Sequence, residues 1–269
     1  MGSLAKQSAT ASAVSLDEIR SYWDRQPCNI KHSPRRVGTK EYFDEVEARR
    51  YLVEPHIPRF AQFERWAGKR VLEIGCGIAT DGVNFARAGA LYTAVDLSPA
   101  SLQIAKRRFA VYGLKGRFLE GNAERLGEIV GAGGFDLIYS FGVIHCTPDQ
   151  RAVVAEARKL IAAEGELRIM VYARNSWKAI MIEAGLDQPE AQGGCPLATL
   201  YTPEMVGELF AGLFALAAIE QTHIFPYAIE PYRRHEYVLE PWFAAMPQEM
   251  LKALSRRLGW HYLIVGRPI

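Results

Sequence analysis

Short apolar runs alternate with helical patterns through the middle of the chain. Patterns typical of helices separate these runs, at 79–88, from Ser98 to about Gly113, and from Thr147 to about Ala162. Strands alternating with helices of this length predict an α/β fold, a mostly parallel sheet with helices on both faces. The predicted strands are 70–74, 91–96, 116–121, 135–140 and 166–172, followed by apolar stretches at 213–224 and 260–266.

Three of the predicted helices begin with a capping side chain followed by proline in the first turn. This pairing satisfies an unbonded backbone N–H and presets the helical backbone. The pairs are Ser98-Pro99, Thr147-Pro148 and Thr202-Pro203. Gln150 completes a capping box with Thr147, so we expect Thr147 to be the N-cap of its helix.

Ligands of parallel sheets bind at the carboxyl ends of the strands, and the first strand leads into VLEIGCGIATDG (71–82). A dinucleotide loop has a small residue where Thr80 stands, so the match to an NAD site is imperfect. The phosphate-binding pattern G-x-x-x-x-G-K-[ST] is absent from the sequence. Glu73 would repel a pyrophosphate and suits a cofactor with a cationic end. The helix that follows suits a cofactor carboxylate.

The segment 73–79, EIGCGIA, resembles the E/D-x-G-x-G-x-G loop of class I S-adenosylmethionine-dependent methyltransferases, with Ala79 at the last glycine. Further motifs similar to those of the family follow in order, and close similarity covers roughly 65–175. They are VDLS (95–98), GNAERL (121–126) and FDLIYSFGVIHCTP (135–148), with AAEGE (162–166) at a reverse turn that lacks the family's proline. The resemblance implies a Rossmann-like, doubly wound, mostly parallel sheet of seven strands and S-adenosylmethionine as cofactor.

The resemblance also implies which residues bind the cofactor. Asp96 accepts the ribose hydroxyls, Leu97 packs on the adenine, and Asn122 either contacts the adenine or caps the next helix. Cys76 is expected to be a small loop residue rather than a reactive one. The predicted cofactor-binding set is Glu73, Gly75, Cys76, Gly77, Asp96, Leu97, Asn122, Ala123, Ser140 and Tyr22.

His145 and Tyr172 are the predicted catalytic residues. In related enzymes the position of His145 faces the methyl group, where histidine orients a nucleophile or removes its proton. The alternatives are a loop histidine bonded to the backbone and a tyrosine of the core. Predicted substrate-binding residues come from two segments rich in aromatic and basic side chains, and they favour an anionic or aromatic small molecule. They are Trp23, Lys31, Arg35, His223, Tyr227, Tyr232 and Arg233.

The predicted organisation is a flexible tail at 1–14, a helical segment at 15–64 and a methyltransferase domain at 65–269. The helical segment is expected to close over the cofactor as a lid and exclude water, or else to pack on the sheet edge. Within the domain, we expect a substrate cap at about 173–201 and a substrate-lining segment at about 223–243.

Net charge is +2, from 32 basic and 30 acidic residues, so the composition does not demand a polyanionic partner. Most of the short basic clusters, which include the run 106–108, are predicted to be solvated surface, although folding could bring two of them together. Four scattered cysteines without CxxC spacing predict free thiols in a reducing cytoplasm, and no metal site is predicted. The sequence has neither an 18-residue apolar run nor a signal-peptide core, so we expect a cytoplasmic protein without a membrane partner.

Methyl transfer to an O, N, S or C atom of a small molecule is the favoured function. Nucleic-acid methylation is less favoured, because no N/D-P-P-Y/F segment follows the fourth strand and no strongly basic face is evident. Convergence of Cys28, Cys146 and Cys195 would instead favour arsenite or another thiophilic acceptor. A non-catalytic protein with the same fold is a further alternative, and the oligomeric state stays open.

Overall fold

An eight-stranded sheet forms the centre of the computed structural model, which describes residues 14–186, 188 and 194–269. The strand order is β3-β2-β1-β4-β5-β8-β7, and the short β6 pairs with β5. Most of the predicted tail and part of the predicted cap therefore lie outside the described residues. The strands are β1 Arg70–Ile74, β2 Leu91–Asp96, β3 Arg117–Glu120, β4 Phe135–Phe141, β5 Ile161–Ala173, β6 Leu200–Tyr201, β7 Phe214–Thr222 and β8 His261–Pro268.

Strands β1 to β6 pair in parallel, whereas β8 runs antiparallel to both β5 and β7. The predicted mostly parallel, doubly wound sheet is confirmed, with one strand more than the seven expected. From β1 the chain moves outward to β2 and β3, then returns to the other side of β1 as β4. This reversal leaves a crevice above the carboxyl end of β1, where such sheets bind ligands.

Helices cover both faces of the sheet, because strand residues alternate between two cores. Leu72 packs with α7 and α9 in one core, whereas Val71 packs with α3, α4 and α5 in the other. None of the helices in the described part of the chain is long and apolar enough to span a bilayer. The helices are α1 Leu16–Arg25, α2 Lys40–Val53, α3 Ile57–Ala61, α4 Thr80–Arg87, α5 Pro99–Val111, α6 Leu126–Val130, α7 Gln150–Leu160, α8 Trp177–Glu183, α9 Pro203–Phe210, α10 Ile229–Arg233, α11 Pro241–Ala244 and α12 Gln248–Leu258.

Two of the three predicted helix caps are present, at Ser98 and Thr202. The third prediction is wrong, because Asp149 caps α7 by accepting from the backbone N–H of Ala152 at 2.9 Å. The hydroxyl of Thr147 instead donates to the carbonyl of Ile144 at 2.8 Å, which closes the preceding turn. Gln150 reinforces this turn through a side-chain bond to the Thr147 carbonyl.

The predicted reverse turn at 162–166 is a bulge within β5. Pairing with β4 advances from Phe135 opposite Ile161 to Leu137 opposite Glu166, so four residues of β5 face a single residue of β4. Gly165 permits this packing, because a Cβ there would lie 2.8 Å from the Phe135 carbonyl oxygen. A bulge within β5 thus stands where the family has a reverse turn that contains proline.

Arg108 is fully buried and is an exception to the expectation that most of the basic clusters are solvated, whereas Lys106 and Arg107 are exposed. Its guanidinium donates to the Thr80 hydroxyl at 2.6 Å and to the Phe43 carbonyl at 3.1 Å, and Glu47 lies 3.4 Å away. A buried cation needs such partners to offset its desolvation. Arg108 therefore joins the start of α4 to α2 beneath the glycine loop.

Candidate active site

A cavity lies at the carboxyl ends of β1 to β4, above the point where strand order reverses. It encloses about 1020 Å³ with its mouth included, and α1 covers one side. Its walls are contributed by α1 and the following turn (Leu16, Ile19, Trp23, Cys28, Asn29), by Arg50, by the β1 loop (Glu73, Gly75 to Ile78, Thr80, Asp81), by the β2 end (Val95 to Leu97, Ser101), by the β3 end (Gly121 to Ala123) and by the β4 end (Phe141 to Val143, Cys146 to Pro148).

The glycine loop is held in a tight left-handed conformation. Gly75, Gly77 and Ala79 have φ values of 71°, 52° and 54°. A Cβ added at Gly75 would lie 2.4 Å from the Val143 side chain, so the loop and the β4 end touch only because this residue is glycine. Ala79 adopts the conformation that favours glycine, which gives a backbone reason for the glycine of the family motif.

Asp96, at the end of β2, presents a carboxylate fixed by two backbone bonds. Oδ2 accepts from Gly77 N at 2.7 Å and Oδ1 accepts from Ser98 N at 2.9 Å. Each carboxylate oxygen can accept a second bond, so the group can also hold two adjacent hydroxyls. Burial raises the pKa of Asp96 to about 6, against the lowering effect of the Ser98 and Gly77 N–H bonds.

The β3 end supplies Asn122, for which the sequence left two roles open. Its Oδ1 accepts from Glu124 N at 3.0 Å, so it caps the short helix that follows, and it also lines the cavity. Leu97 and Ala123 complete this part of the wall. The side chain is thereby oriented by the cap while it faces the cavity.

Glu73 lies deeper than a surface strand-end charge, with 4% of its area exposed. The Tyr92 hydroxyl donates to it, and Gly82 makes room for that contact. Burial, with the nearby Asp81 carboxylate, raises the pKa of Glu73 well above its usual range. Glu73 therefore lines the cavity while bonded to the strand beside it, rather than projecting as an isolated carboxylate.

Arg50 and Asp81 are cavity residues that the sequence analysis missed. Two guanidinium nitrogens of Arg50 lie 3.3 Å from the Asp81 carboxylate, which also accepts from the hydroxyls of Tyr51 and Tyr139. Asp81 lies in the first turn of α4, directly after the glycine loop, and this position in the sequence could have indicated that it lines the cavity. Arg50 carried no such signal, since it comes from α2.

Two predicted cofactor residues are absent from the cavity wall formed by the described residues. Ser140 is fully buried and its hydroxyl donates to the Ile74 carbonyl at 3.1 Å, which ties β4 to β1. Tyr22 packs edge-on against Trp23, beside Cys146 and Cys195. The other eight predicted residues line the cavity, although no contact with a cofactor is thereby tested.

The first helix, α1, lies where a lid was predicted. Asp24 accepts from the Ser98 hydroxyl at 2.7 Å and from Ala100 N at 3.3 Å, which attaches α1 to the start of α5. Leu16, Ile19 and Trp23 face the cavity. The apolar side of α1 thus covers the space above Asp96.

His145, which was predicted to be catalytic, does not line the cavity as the described residues form it. It is fully buried, its ring lies 3.8 Å from the Tyr172 ring, and neither ring nitrogen has a hydrogen-bond partner within the described chain. Burial lowers the pKa of His145 to about 3, so the ring is neutral. Tyr172 also stacks on Trp260 and belongs to the core. The neighbouring Cys146 takes the wall position instead.

The predicted substrate residues fall in separate places. Trp23 lines the cavity described above, whereas His223 and Tyr227 line a second cavity with His56. Three cationic residues, including Lys31, are exposed and line neither cavity as formed by the described residues. Their outward position follows from solvation and local ion pairs, Arg35 with Glu45 and Arg233 with Glu230. Tyr232 is buried beneath the guanidinium of Arg49, 4.1 Å from its ring.

The thiols converge only in part. The Sγ atoms of Cys146 and Cys195 lie 4.0 Å apart, and Cys28 lines the cavity nearby. Within the described residues, three potential ligand side chains meet within 4.8 Å only at Glu54, His56 and His261. The described structure therefore lacks the compact three-thiol arrangement that a thiophilic acceptor would need.

Comparison with known proteins supports the class suggested by the fold and loop. Residues 72–167 match the family described as a methyltransferase domain. Ubiquinone biosynthesis O-methyltransferase from Aromatoleum aromaticum is 33% identical over 109 residues, 40% of this chain and 46% of that protein. The enzyme of the same name from Nitrosococcus oceani is 34% identical over 101 residues, 38% of this chain and 42% of that protein. The matched segments thus span less than half of these relatives.

Solved structures extend the likeness in fold along most of the chain. Magnesium protoporphyrin IX methyltransferase from Synechocystis PCC 6803, solved with bound SAH, has a TM-score of 0.60 at 15% identity, covering 94% of this chain and 100% of that one. Geranyl diphosphate C-methyltransferase from Streptomyces coelicolor has a TM-score of 0.60 at 13% identity, covering 97% and 100%. Residues 72–167 thus form a methyltransferase domain, and the comparisons support the class I S-adenosylmethionine-dependent methyltransferase that the sequence predicted.

Proposed function

We propose that this protein transfers the methyl group of S-adenosylmethionine to a small molecule. The observation that carries the proposal is Asp96, a carboxylate in the cavity wall whose two oxygens are each fixed by a backbone N–H. Each oxygen keeps acceptor capacity for one hydroxyl of a ribose. These free acceptor positions fit the hydroxyls of a nucleoside better than a pyrophosphate, which the nearby carboxyl groups would repel.

The cofactor supplies a methyl group that its sulfonium already activates, so the protein's task is to bind, orient and exclude water. The left-handed loop exposes backbone at the start of α4, whose N-terminus suits the cofactor's carboxylate. Leu97 and Ala123 offer apolar contact for the adenine. Leu16, Ile19 and Trp23 cover the cavity and keep water from the reacting atoms.

A small-molecule acceptor is favoured over a nucleic acid by the balanced charge and by the cover that α1 places over the cavity. The curated relatives are named for O-methyl transfer in ubiquinone biosynthesis, which makes phenolic acceptors the first class to test. The matched segments cover less than half of this chain, so the acceptor atom is an open choice among O, N, S and C.

The proposal is tested by measuring S-adenosylhomocysteine formation with a panel of phenols, amines, thiols and carboxylic acids. We expect at least one class to raise formation well above the rate without acceptor, and Asp96→Ala to abolish the increase. Lys106→Ala, an exposed change on α5, is the matched control and should behave as the wild type. Failure of the wild-type protein to bind S-adenosylmethionine would overturn the proposal.

A further inference from the structure

A buried cluster of imidazole and carboxyl groups lies beside the cofactor cavity and has no part in the function proposed above. Glu54 follows α2, His56 precedes α3, and His261 opens β8. Their exposed fractions are 9%, 8% and 1%. The three ligand groups converge because β8 runs antiparallel to β5, which places its first residue at the carboxyl edge of the sheet.

The distances in this cluster suit a single metal ion. His56 Nε2 lies 3.0 Å from His261 Nδ1, a spacing that one ion could bridge. The carboxylate of Glu54 lies on the other side of the His261 ring, with Oε1 3.8 Å from Nε2, so only one of the two ring nitrogens would bind the ion. Two ligand atoms that are each about 2.1 Å from a metal ion lie about 3.0 Å apart when their bonds to the ion meet at a right angle, and about 4.2 Å apart when they lie on opposite sides of the ion. One ligand atom from each of the three residues lies within 4.8 Å of the others, so small side-chain rotations suffice to close on an ion.

We propose that Glu54, His56 and His261 bind a divalent first-row transition-metal ion such as Zn²⁺, Co²⁺ or Fe²⁺. Two imidazoles and one carboxylate form a donor set that these ions favour, and it leaves coordination positions open. Mg²⁺ and Ca²⁺ are poorer candidates, because they prefer oxygen ligands throughout.

The surroundings provide an entry path and support for the ligands. His56 and His223 line the second cavity, and the His223 ring stacks on His261 at 4.7 Å. Phe141 packs against both ligand rings, at 5.9 Å from His56 and 5.6 Å from His261, and also lines the cofactor cavity. A metal here would lie one aromatic ring away from the space assigned to the cofactor.

The charge around the cluster is compatible with a bound cation. The guanidinium of Arg50 lies 3.4 Å from Glu54 Oε2 and also pairs with Asp81. The other carboxylate oxygen of Glu54, Oε1, is the one on the His261 side. The charge of Lys178 acts on His261, and the charge of Arg59 acts on His56. Glu54 therefore supplies the negative charge that offsets part of the charge of a divalent ion.

The experiment uses the full chain without a polyhistidine tag, freed of metal by chelator and titrated with Co²⁺. We expect one Co²⁺ per chain, visible absorption bands of a bound ion, and competition by Zn²⁺. His261→Phe and His56→Phe keep an aromatic ring in place and remove the donor. Each should weaken Co²⁺ binding at least tenfold, whereas Glu54→Gln should weaken it less. His235→Asn, which removes an imidazole outside the cluster, should bind Co²⁺ as the wild type does.

Cofactor binding is measured on the same variants, so that loss of folding is distinguished from loss of a ligand. If a phenylalanine variant fails to fold, the melting temperature of the wild-type protein decides, since one bound ion should raise it and chelator should reverse the rise. Absence of Co²⁺ and Zn²⁺ binding by the wild type would overturn the proposal and leave a hydrogen-bonded pair of imidazoles. Binding that survives both phenylalanine substitutions would also overturn it.

Discussion

Lowering the pH from 7 to 5 should weaken the binding of S-adenosylhomocysteine about tenfold, because Asp96, the proposed ribose acceptor, accepts hydrogen bonds best as a carboxylate. Burial raises the pKa of this group to about 6. The ionised fraction then falls from about nine-tenths at pH 7 to about one-tenth at pH 5. The binding-competent form is the one above the pKa, so affinity is retained at high pH and lost as the pH falls through 6.

The magnitude of the Asp96 contribution follows from its contacts. The two backbone bonds, from Gly77 N and Ser98 N, leave one acceptor position on each oxygen for the ribose. Hydrogen bonds to charged groups contribute about 1.5–3 kcal/mol each. Losing two of them in Asp96→Ala should therefore raise Kd at least about 100-fold.

Isothermal titration calorimetry at half-unit pH steps measures both effects, with circular dichroism to verify folding at each pH. Asp96→Asn removes the titrating group and should bind weakly at every pH, with a flat profile. Asp24→Asn tests the neighbouring carboxylate on α1, which raises the pKa of Asp96, and should shift the profile to lower pH. A wild-type Kd that is constant between pH 5 and 7, or a tenfold change that persists in Asp96→Asn, would show that Asp96 is not the titrating group.

Three further changes test the framework of the site. Arg108→Ala should lower the free energy of unfolding, measured in urea, by about 3 kcal/mol, because it leaves the buried partners of the guanidinium unpaired. The exposed substitution Lys106→Ala should change this free energy by no more than about 0.5 kcal/mol, and equal effects of the two would contradict the structural role of Arg108. Gly75→Ala should weaken S-adenosylhomocysteine binding at least tenfold, because the added methyl would lie 2.4 Å from Val143; an unchanged Kd would show that the loop is not held as described. His145→Phe preserves the packing on the neighbouring ring and should leave the cofactor Kd within twofold, and a tenfold rise would place this residue in the binding site after all.

The sheet and the glycine loop were predictable because their signals are local. Alternating apolar runs located β1 to β5 to within a few residues, and the loop motif together with Asp96 lies within 24 residues of sequence. The α7 cap was misassigned by two residues, since Thr147 and Asp149 carry equivalent capping groups. The choice between them depends on the preceding turn, which the pattern does not reveal.

Contacts between distant segments were beyond the sequence. Arg108 looked like one member of a basic run, and its burial depends on acceptors supplied by α2 and by the loop. Nothing in the spacing of His56 and His261, 205 residues apart, indicates that their rings meet. Arg35, drawn into the predicted substrate set by its charge, finds an acidic partner close in sequence and stays at the surface.

Binding of S-adenosylmethionine through Asp96 is measured by calorimetric titration of the wild-type protein and Asp96→Ala with S-adenosylmethionine and, separately, with NAD. We expect one S-adenosylmethionine bound per wild-type chain, no detectable binding to Asp96→Ala, and no binding of NAD to either protein. Absence of S-adenosylmethionine binding by the wild type, or undiminished binding by Asp96→Ala, would contradict this expectation.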